Sequence, residues 1–346
     1  MKILLRLLLK TQHQRNRVQQ SQKEQGITLI ELLIGTVMAF LIITPMLGFV
    51  VDMLNTDRRE QVKANTEQDI QAAVDFIAQD LSQAIYIYDN KGIKAIRNQL
   101  PEDGNLNQIP ILVFWKRQQI QNSLPINPKV DAKPNTCKAN LGQCNDTYVL
   151  SLVAYYQIKD NTPNSPWCQP SGGTCPTRIE RYTISDGVRN PSTLDYYTDG
   201  ETTTGQRKDP AFNVLFNPSK PTDNVTVASE LTNKQSTATK PEVLLNYIDH
   251  STNSVPPPPD CKTTLEVKDP PAPLPALTQA ELLISNPDNT NSFYACVDSA
   301  RNLARVTIRG NSLRRLQPNN AEYNASRSAF FPTATVQVQG LGARGN

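Results

Sequence analysis

Residues 27–51 have the sequence ITLIELLIGTVMAFLIITPMLGFVV, and this segment sets the architecture expected of the whole chain. Its 25 residues carry one charged side chain, that of Glu31. An α-helix rises about 1.5 Å per residue and the hydrocarbon core of a bilayer is about 30 Å thick, so a helix of this length spans it. The sequence predicts a transmembrane helix over 27–51. Inserting a charged side chain into the membrane costs about 2.5–3.5 kcal/mol of free energy, so we expect Glu31 to have a specific role there.

The residues before this segment predict its orientation. Residues 1–26 contain six basic side chains and one acidic one, a net charge of +5. Positive charge beside a first apolar segment keeps the N-terminus in the cytoplasm and sends the following chain across the membrane. A secretory signal peptide fits poorly, because its apolar region is about 7–15 residues long and its cleavage site follows that region. Here the apolar run is longer, and the small residue Gly26 precedes it.

The junction at Gly26 carries a family resemblance. A basic leader ending in this glycine, followed by Ile-Thr-Leu-Ile-Glu at 27–31 and a long apolar helix, resembles the type IV prepilin signal of pilins and pseudopilins. The resemblance implies that a prepilin peptidase cuts between Gly26 and Ile27, removing residues 1–26, and that the new amino group of Ile27 is N-methylated. The family most often has Phe where this chain has Ile27. A plain uncleaved signal anchor is the alternative.

Glu31 stands at the fifth position after the implied cleavage site. A lone carboxylate in lipid is costly, whereas one paired with a cation is much less so. The resemblance implies that its partner is the free amine of Ile27 on a neighbouring subunit. Glu31 would then be an assembly residue, with other pilins or pseudopilins and an inner-membrane assembly platform as partners.

The segment after the membrane span predicts a continued helix. Residues 52–88 lack proline and glycine, and Ile70, Val74, Ile77, Leu81, Ala84 and Ile85 recur at the spacing of one helix face. We therefore predict an amphipathic helical stalk over 52–90. The charged side chains between these positions, Asp80 among them, are expected to lie on the solvated face.

Residues 91–346 predict a β-rich globular domain. Seven short runs rich in β-branched and aromatic residues are bounded by turn residues and indicate strands. They are 111–115, 147–158, 178–185, 243–248, 293–297, 303–309 and 334–341. Among the long polar connectors, 251–275 contains eight prolines and predicts an extended, proline-rich strap without packed elements. The predicted fold class is α+β, and the resemblance implies a pilin-like arrangement: a long N-terminal helix packed on an antiparallel sheet domain with long disulfide-tied loops.

The six cysteines all follow the membrane segment, at 137, 144, 168, 175, 261 and 296. An even number of cysteines on the translocated side indicates disulfides in an oxidising compartment. Six cysteines allow fifteen connectivities, of which the spacing favours Cys137–Cys144, Cys168–Cys175 and Cys261–Cys296. A zinc site is the alternative, but it expects spacers of two to four residues and usually histidine.

Charge and composition argue against catalysis and against nucleic acid. The whole chain has 35 basic (Lys and Arg) and 32 acidic (Asp and Glu) residues. Without the six basic and one acidic residues of the leader it has 29 basic and 31 acidic residues, a net charge of −2. Nucleic-acid binding is therefore not expected, although five arginines form a local basic run at 301, 305, 309, 314 and 315. His250 is the only histidine after the leader and lies between Asp249 and Ser251, but neighbouring strand residues point to opposite faces. The acidic segment 195–201 lacks the regular spacing of a calcium loop. We predict no enzyme, no metal and no cofactor.

The size of the chain narrows the resemblance. It resembles minor pilins and minor pseudopilins, of the PilW type and the J type of type II secretion, which sit at filament tips. The segments 44–49, 55–61, 66–73, 86–89 and 178–182 are similar to the pseudopilins of cyanobacterial hormogonium polysaccharide secretion. This likeness implies a filament-associated protein of the inner membrane that supports polysaccharide secretion and gliding motility, with exported polysaccharide as a further partner. The alternative is a tip adhesin or receptor that binds a surface, a glycan or DNA, for which Trp167, Tyr196 and Tyr197 are candidate sugar contacts.

Overall fold

The structure is a computed structural model that describes residues 28–126, 133–137, 144–162, 164–271, 273 and 275–342. The chain divides into two compact units, Met1–Arg58 and Arg59–Asn346. We call the second unit the head. Within the described residues the fold is α+β, with a long N-terminal helix, two antiparallel sheets and three disulfides.

Helix α1 spans Leu29–Ser82 and contributes to both units. Inside the head its apolar residues repeat every three or four positions, so they share one face. Ile70, Val74, Ile77 and Leu81 are all buried. This part of the helix is therefore held by packing rather than by helix propensity alone.

The predicted stalk 52–90 extends too far. Helix α1 ends at Ser82, and strand β1 occupies Ala84–Ile87, where the sequence pattern predicted a last helical turn. The segment Ile85–Ile87 is β-branched and aromatic, and it pairs with the strand containing Trp115, which outweighs the helical spacing. A short helix α2, Asn90–Ala95, follows and is capped by Asp89, whose carboxylate accepts from the amide of Gly92 at 2.7 Å.

The larger sheet has five antiparallel strands in chain order. After β1 come β2 (Gln108–Pro125), β3 (Cys144–Lys159), β4 (Thr177–Ser185) and β5 (Glu242–Ile248). Strands β2 and β3 form a long hairpin, and their central residues supply the largest buried side chains. These include Phe114, Trp115, Tyr155 and Tyr156.

The smaller sheet has four antiparallel strands, again in chain order. It contains β6 (Leu283–Ser285), β7 (Phe293–Asp298), β8 (Leu303–Arg309) and β9 (Thr333–Gln339). All seven predicted runs coincide with strands, so these predictions are confirmed. Strands β1 and β6 were missed, because four and three residues are too few to show alternation.

One hydrophobic cluster joins helix α1 to both sheets. Close packing at Gly310, just after β8, brings the second sheet onto the helix. A Cβ atom at this position would lie 2.3 Å from Cδ1 of Ile70 and 2.9 Å from Cγ2 of Thr66. A larger residue here would force the side chains of Ile70 and Thr66 to move.

The connector 251–275 corrects a prediction. A helical turn, α3, lies inside it at Cys261–Thr264 and is capped by Asp260. Cys261, Leu265 and Val267 are buried together with Leu282 of helix α4 (Gln279–Leu282) and with Cys296. The prolines extend the segment before and after this turn, but the disulfide at Cys261 and the side-chain cap make a packed element between them.

Candidate functional site

The N-terminal helix presents an uncovered apolar surface. Every large hydrophobic side chain from Leu29 to Leu54 is exposed, 18 in all. The helix is long and apolar enough to cross a membrane. A soluble monomer rarely exposes so large a continuous apolar surface, and a surface of this kind is typical of a segment that contacts lipid or another protein.

Glu31 lies in the first turn of this helix. The carbonyl of Thr28 accepts from the amides of Glu31 and Leu32 at 3.0 and 3.2 Å, which starts the helix. A carboxylate there interacts favourably with the positive end of the helix dipole. Within the described part of the chain the Glu31 carboxylate makes no hydrogen bond or ion pair. The next charged residue, Asp52, is 21 positions along, about 32 Å of helix. Gly26 and Ile27, the predicted cleavage and methylation sites, lie outside the described residues.

The other polar groups in the apolar segment are satisfied within the helix. The hydroxyls of Thr36 and Thr44 donate to the carbonyls of Leu33 and Phe40, each at 2.8 Å. Hydroxyls bonded in this way are compatible with lipid, since their own donors are not left bare. Among the described residues of this segment, Glu31 is therefore the side chain that still lacks a partner for its charge.

The three disulfides of the head are the pairs that the spacing favoured, Cys137–Cys144, Cys168–Cys175 and Cys261–Cys296. The second closes a loop around Arg314, which the sequence placed in a local basic run but not in a buried site. Arg314, in helix α5 (Ser312–Leu316), is fully buried. Its guanidinium donates to the carbonyls of Thr174, Pro170 and Gly172 at 2.8, 3.0 and 3.0 Å.

The cage of carbonyls around Arg314 gives a stability prediction. Arg314→Met is expected to lower the free energy of unfolding by about 3 kcal/mol, because three hydrogen bonds from a fully buried guanidinium are lost. Cys168→Ser with Cys175→Ser should cost about 2.5 kcal/mol from loop closure. The disulfide loop holds the carbonyls that Arg314 contacts, so the two changes should not be independent. The variant that combines all three substitutions should therefore lose at least about 0.5 kcal/mol less free energy of unfolding than the sum of the two separate losses, which is the usual size of coupling between contacting residues.

Urea unfolding of the full chain in detergent measures these values. Arg315→Met is the matched control, since Arg315 is partly exposed and pairs with Asp69 at 2.5 Å, an interaction worth about 1 kcal/mol or less. Full additivity of the Arg314 and cysteine variants would show that the loop and the arginine are independent.

The Asp249–His250–Ser251 segment is not arranged as a catalytic triad. The Ser251 hydroxyl donates to Asp249 at 2.6 Å, and the same carboxylate accepts from Nε of Arg309 at 3.0 Å. Nδ1 of His250 is buried without a hydrogen-bond partner among the described residues. Burial lowers the pKa of His250, against the opposing charges of Asp249 and Glu322. His250 lines a cavity of about 490 Å³. Ser251 donates to Asp249 and not to His250, so the geometry gives no support for nucleophilic catalysis by Ser251.

The remaining candidates from the sequence are separated in the fold. In the basic run, Arg309 and Arg314 are buried and Arg301 pairs with Asp298, so these arginines form no common surface. In the acidic segment, Glu201 pairs with Lys133 at 2.7 Å, and no cluster of metal-ligating side chains occurs among the described residues.

The three aromatic candidates for sugar contacts each pack against different groups. The Tyr196 hydroxyl donates to Asp186 at 2.6 Å and the ring is covered by Arg189. Tyr197 packs on a small apolar cluster, and the Trp167 ring lies 5.7 Å from the guanidinium of Arg178. The structure therefore does not bring these rings together into one binding platform.

A buried charge cluster in the head was missed at the sequence level. Asp80 was expected on the solvated face of α1, but it is buried. Its carboxylate accepts from Lys116 at 2.7 Å, from Tyr155 at 2.6 Å and from Arg181 at 2.8 Å. The available signal was spacing: Asp80 follows Ile77 by three positions and precedes Leu81, so it falls within the apolar face.

Comparison of the chain with protein-family models, with curated proteins and with solved structures finds no match. The functional assignment therefore rests on this chain's own residues.

Proposed function

We propose that the protein is a minor pilin-like subunit that is anchored in the inner membrane and co-assembles through its N-terminal helix into a type IV pilus-like or type II secretion-like filament. The observation that carries the proposal is the uncovered apolar helix Leu29–Leu54 with the unpaired Glu31 in its first turn. The basic leader and Gly26 directly before it support processing by a prepilin peptidase, with an N-methylated Ile27 as the new N-terminus.

The assembly step follows from electrostatics. Cleavage at Gly26 would create an ammonium group at Ile27, four residues before Glu31 in sequence. Two subunits side by side can pair the amine of one with the carboxylate of the other, which removes the cost of an isolated charge in lipid. Assembly is thus favoured over the separate membrane-anchored subunits.

The orientation is part of the proposal. Six basic residues before the apolar segment favour a cytoplasmic N-terminus and a periplasmic or extracellular head. The three disulfides of the head support this side of the membrane, because they form in oxidising compartments. Three bridges and about 290 residues in the head favour a tip-located, low-copy subunit with a pilin-like fold over a bulk filament subunit. Support of polysaccharide secretion and gliding motility, with the assembly platform as partner, rests on the resemblance of the sequence.

N-terminal processing tests the proposal directly. Co-expression of the full chain with a prepilin peptidase is expected to give a mature protein that begins at Ile27, as measured by intact mass and N-terminal sequencing. Gly26→Leu should abolish the cut, whereas Gly35→Ala, which changes a glycine within the helix with open space around it, should not. Cleavage after the apolar segment by signal peptidase would contradict the proposal.

Deletion separates this function from the alternative of a tip adhesin. Loss of filament or secretion assembly in a deletion strain supports the assembly role, and co-purification should recover the other pilin-type subunits. Normal assembly with lost attachment would instead support the adhesin.

A further inference from the structure

A cleft of about 470 Å³ lies on the head, lined by residues of strands β2, β4 and β5 and by the connector between β4 and β5. This volume falls within the range of about 300–1,000 Å³ that is typical of sites for small molecules. The strands supply Gln118, Arg181 and Glu242 to its lining, and the connector supplies Arg207, Lys208 and Asp209. Its lining shares no residue with the cavity at His250.

The charge of the cleft differs from that of the chain. Five cationic and three anionic side chains line it, a net charge of +2, whereas the chain after the leader has a net charge of −2. One of the three anions, Asp209, already has its carboxylate oxygens occupied by hydrogen bonds from neutral donors. Asp209 is buried and accepts from the amides of Ala211 and Thr237 at 2.8 and 2.6 Å, and from the hydroxyls of Ser236 and Thr237 at 2.7 and 2.5 Å. The cleft therefore attracts anions.

The side-chain oxygen of Gln118, in the lining of the cleft, is also occupied. The amide oxygen of Gln118 accepts from the hydroxyls of Ser151 and Ser185 at 2.7 and 3.3 Å. Within the described part of the chain, its Nε2 group makes no hydrogen bond. An amide with a filled oxygen and a free nitrogen offers donors to a ligand.

Two cations supply further donors. Arg181 uses Nε for Asp80 and Nη1 for Thr183 and Glu242, and its Nη2 has no partner among the described residues. Lys208 donates to the carbonyls of Asp209 and Phe212 at 3.2 and 3.1 Å, so neutral oxygens rather than a carboxylate fix its ammonium. An ammonium has three donors, and one remains. These three side chains together suit an oxyanion.

The rim favours a ligand that also carries hydroxyl groups. Asp199 pairs with Nε of Arg207 at 3.8 Å and Glu242 with Nη1 of Arg181 at 3.3 Å. Their side chains still have 85% and 75% of their surface exposed, so both carboxylates can also accept hydrogen bonds from such groups. The lining contains no aromatic side chain among the described residues, so no platform exists for stacking a nucleic-acid base. A carboxylate on a hydroxylated ring matches both donors and acceptors.

We propose that this cleft binds a uronic acid residue of an acidic glycan. Gln118, Arg181 and Lys208 hold the sugar carboxylate, and Asp199 and Glu242 accept from the ring hydroxyls. This inference concerns the head alone and does not rest on filament assembly, so failure of either proposal leaves the other standing.

Calorimetric titration of the full chain in detergent with trigalacturonic acid tests the proposal. We expect saturable binding of the acid, and at least tenfold weaker binding of its fully methyl-esterified trimer, which lacks the charge. Gln118→Glu and Lys208→Met should each weaken binding at least tenfold. Lys159→Met is the matched control: it removes a lysine at the other cavity and should leave binding unchanged.

A double variant, Lys234→Glu with Lys240→Glu, separates binding from folding. Both side chains line the cleft but are exposed, so their replacement should not disturb the packing of the head. It should weaken binding of the acid with an unchanged melting temperature. Absence of binding by the unaltered chain, or equal binding of the ester, would overturn the proposal. Equal affinity for inorganic phosphate or for oligothymidylate would show a general anion site and would overturn the assignment to a glycan.

Discussion

Replacing Asp80 with alanine is expected to lower the free energy of unfolding of the head by about 3–5 kcal/mol, the usual cost of breaking a buried ion pair from one side. The Asp80 carboxylate accepts from Lys116, Arg181 and Tyr155 at 2.6 to 2.8 Å. The side chains of Asp80 and Lys116 are each 8% exposed. In the variant Arg181 still has an ion pair with Glu242, at 3.3 Å in the unaltered chain, whereas Lys116 has no second carboxylate partner among the described residues. An uncompensated buried ammonium therefore dominates the loss.

Urea unfolding of the full chain in detergent measures this loss, and Asp75→Ala is the matched control. Asp75 lies on the same helix and is exposed, and among the described residues it accepts only from Gln71, at 3.0 Å, so its replacement should lower the free energy of unfolding by less than about 0.5 kcal/mol. A second variant replaces the charges together, as Asp80→Leu, Lys116→Met and Arg181→Met. Because no charge is then left unpaired, this triple variant should recover much of the stability. Equal losses for Asp80→Ala and Asp75→Ala would show that the cluster contributes no stability.

The same cluster predicts an acid-dependent loss of stability. Burial raises the pKa of Asp80, but the charges of Arg181 and Lys116 and the hydrogen bonds to Lys116 and Tyr155 outweigh it and hold the pKa below its ordinary value. A carboxylate with a lowered pKa stabilises the folded state above its unfolded pKa of about 3.9, and that contribution is lost as the pH falls through the folded-state value. The difference in stability between the unaltered chain and Asp80→Ala should therefore shrink below about pH 4.

Periodicity in the sequence predicted most of the head, and its failures have local causes. The seven predicted strands alternate or are rich in β-branched residues, so side-chain pattern alone located them. The predicted helix ran on into β1 because Ala84 and Ile85 continue the helical spacing. The pairing of β1 with β2 is a tertiary effect, which no local pattern contains.

The candidate sites likewise divide into those that a local sequence pattern reveals and those that only the fold assembles. Glu31 is conspicuous because it is a single charge in a run of 25 residues, and the disulfides follow from short spacings. Arg314 and the anion-attracting cleft could not be predicted, because their partners are distant in sequence. Arg314 bonds carbonyls 140 to 144 positions away, and the cleft joins residues from 118 to 242. Backbone carbonyls carry no residue-type signal, so such a cage is visible only in the fold.

Replacing Glu31 with alanine is expected to reduce incorporation into filaments about a hundredfold while cleavage at Gly26 continues. The carboxylate is exposed on an apolar helix and has no partner in the described part of the chain. Pairing with the amine of a neighbouring Ile27 would relieve a cost of about 2.5–3.5 kcal/mol. A difference of 1.4 kcal/mol corresponds to a factor of ten, so losing this relief weakens association by about two powers of ten. Quantitative co-purification with tagged pilin-type subunits measures the effect.

Two further variants assign the effect to the charge of Glu31. Glu31→Gln retains the length and the hydrogen-bonding capacity of the side chain but not its charge, so it should fail to assemble nearly as completely as alanine. Thr36→Ala is the matched control, because the Thr36 hydroxyl is satisfied by the carbonyl of Leu33 within the same helix. It should assemble normally. Normal incorporation of Glu31→Gln would show that a hydrogen bond suffices and that the ammonium group of Ile27 is not the partner. Normal incorporation of Glu31→Ala would remove the electrostatic basis of the proposed function, because the apolar surface of α1 would then be enough to drive assembly.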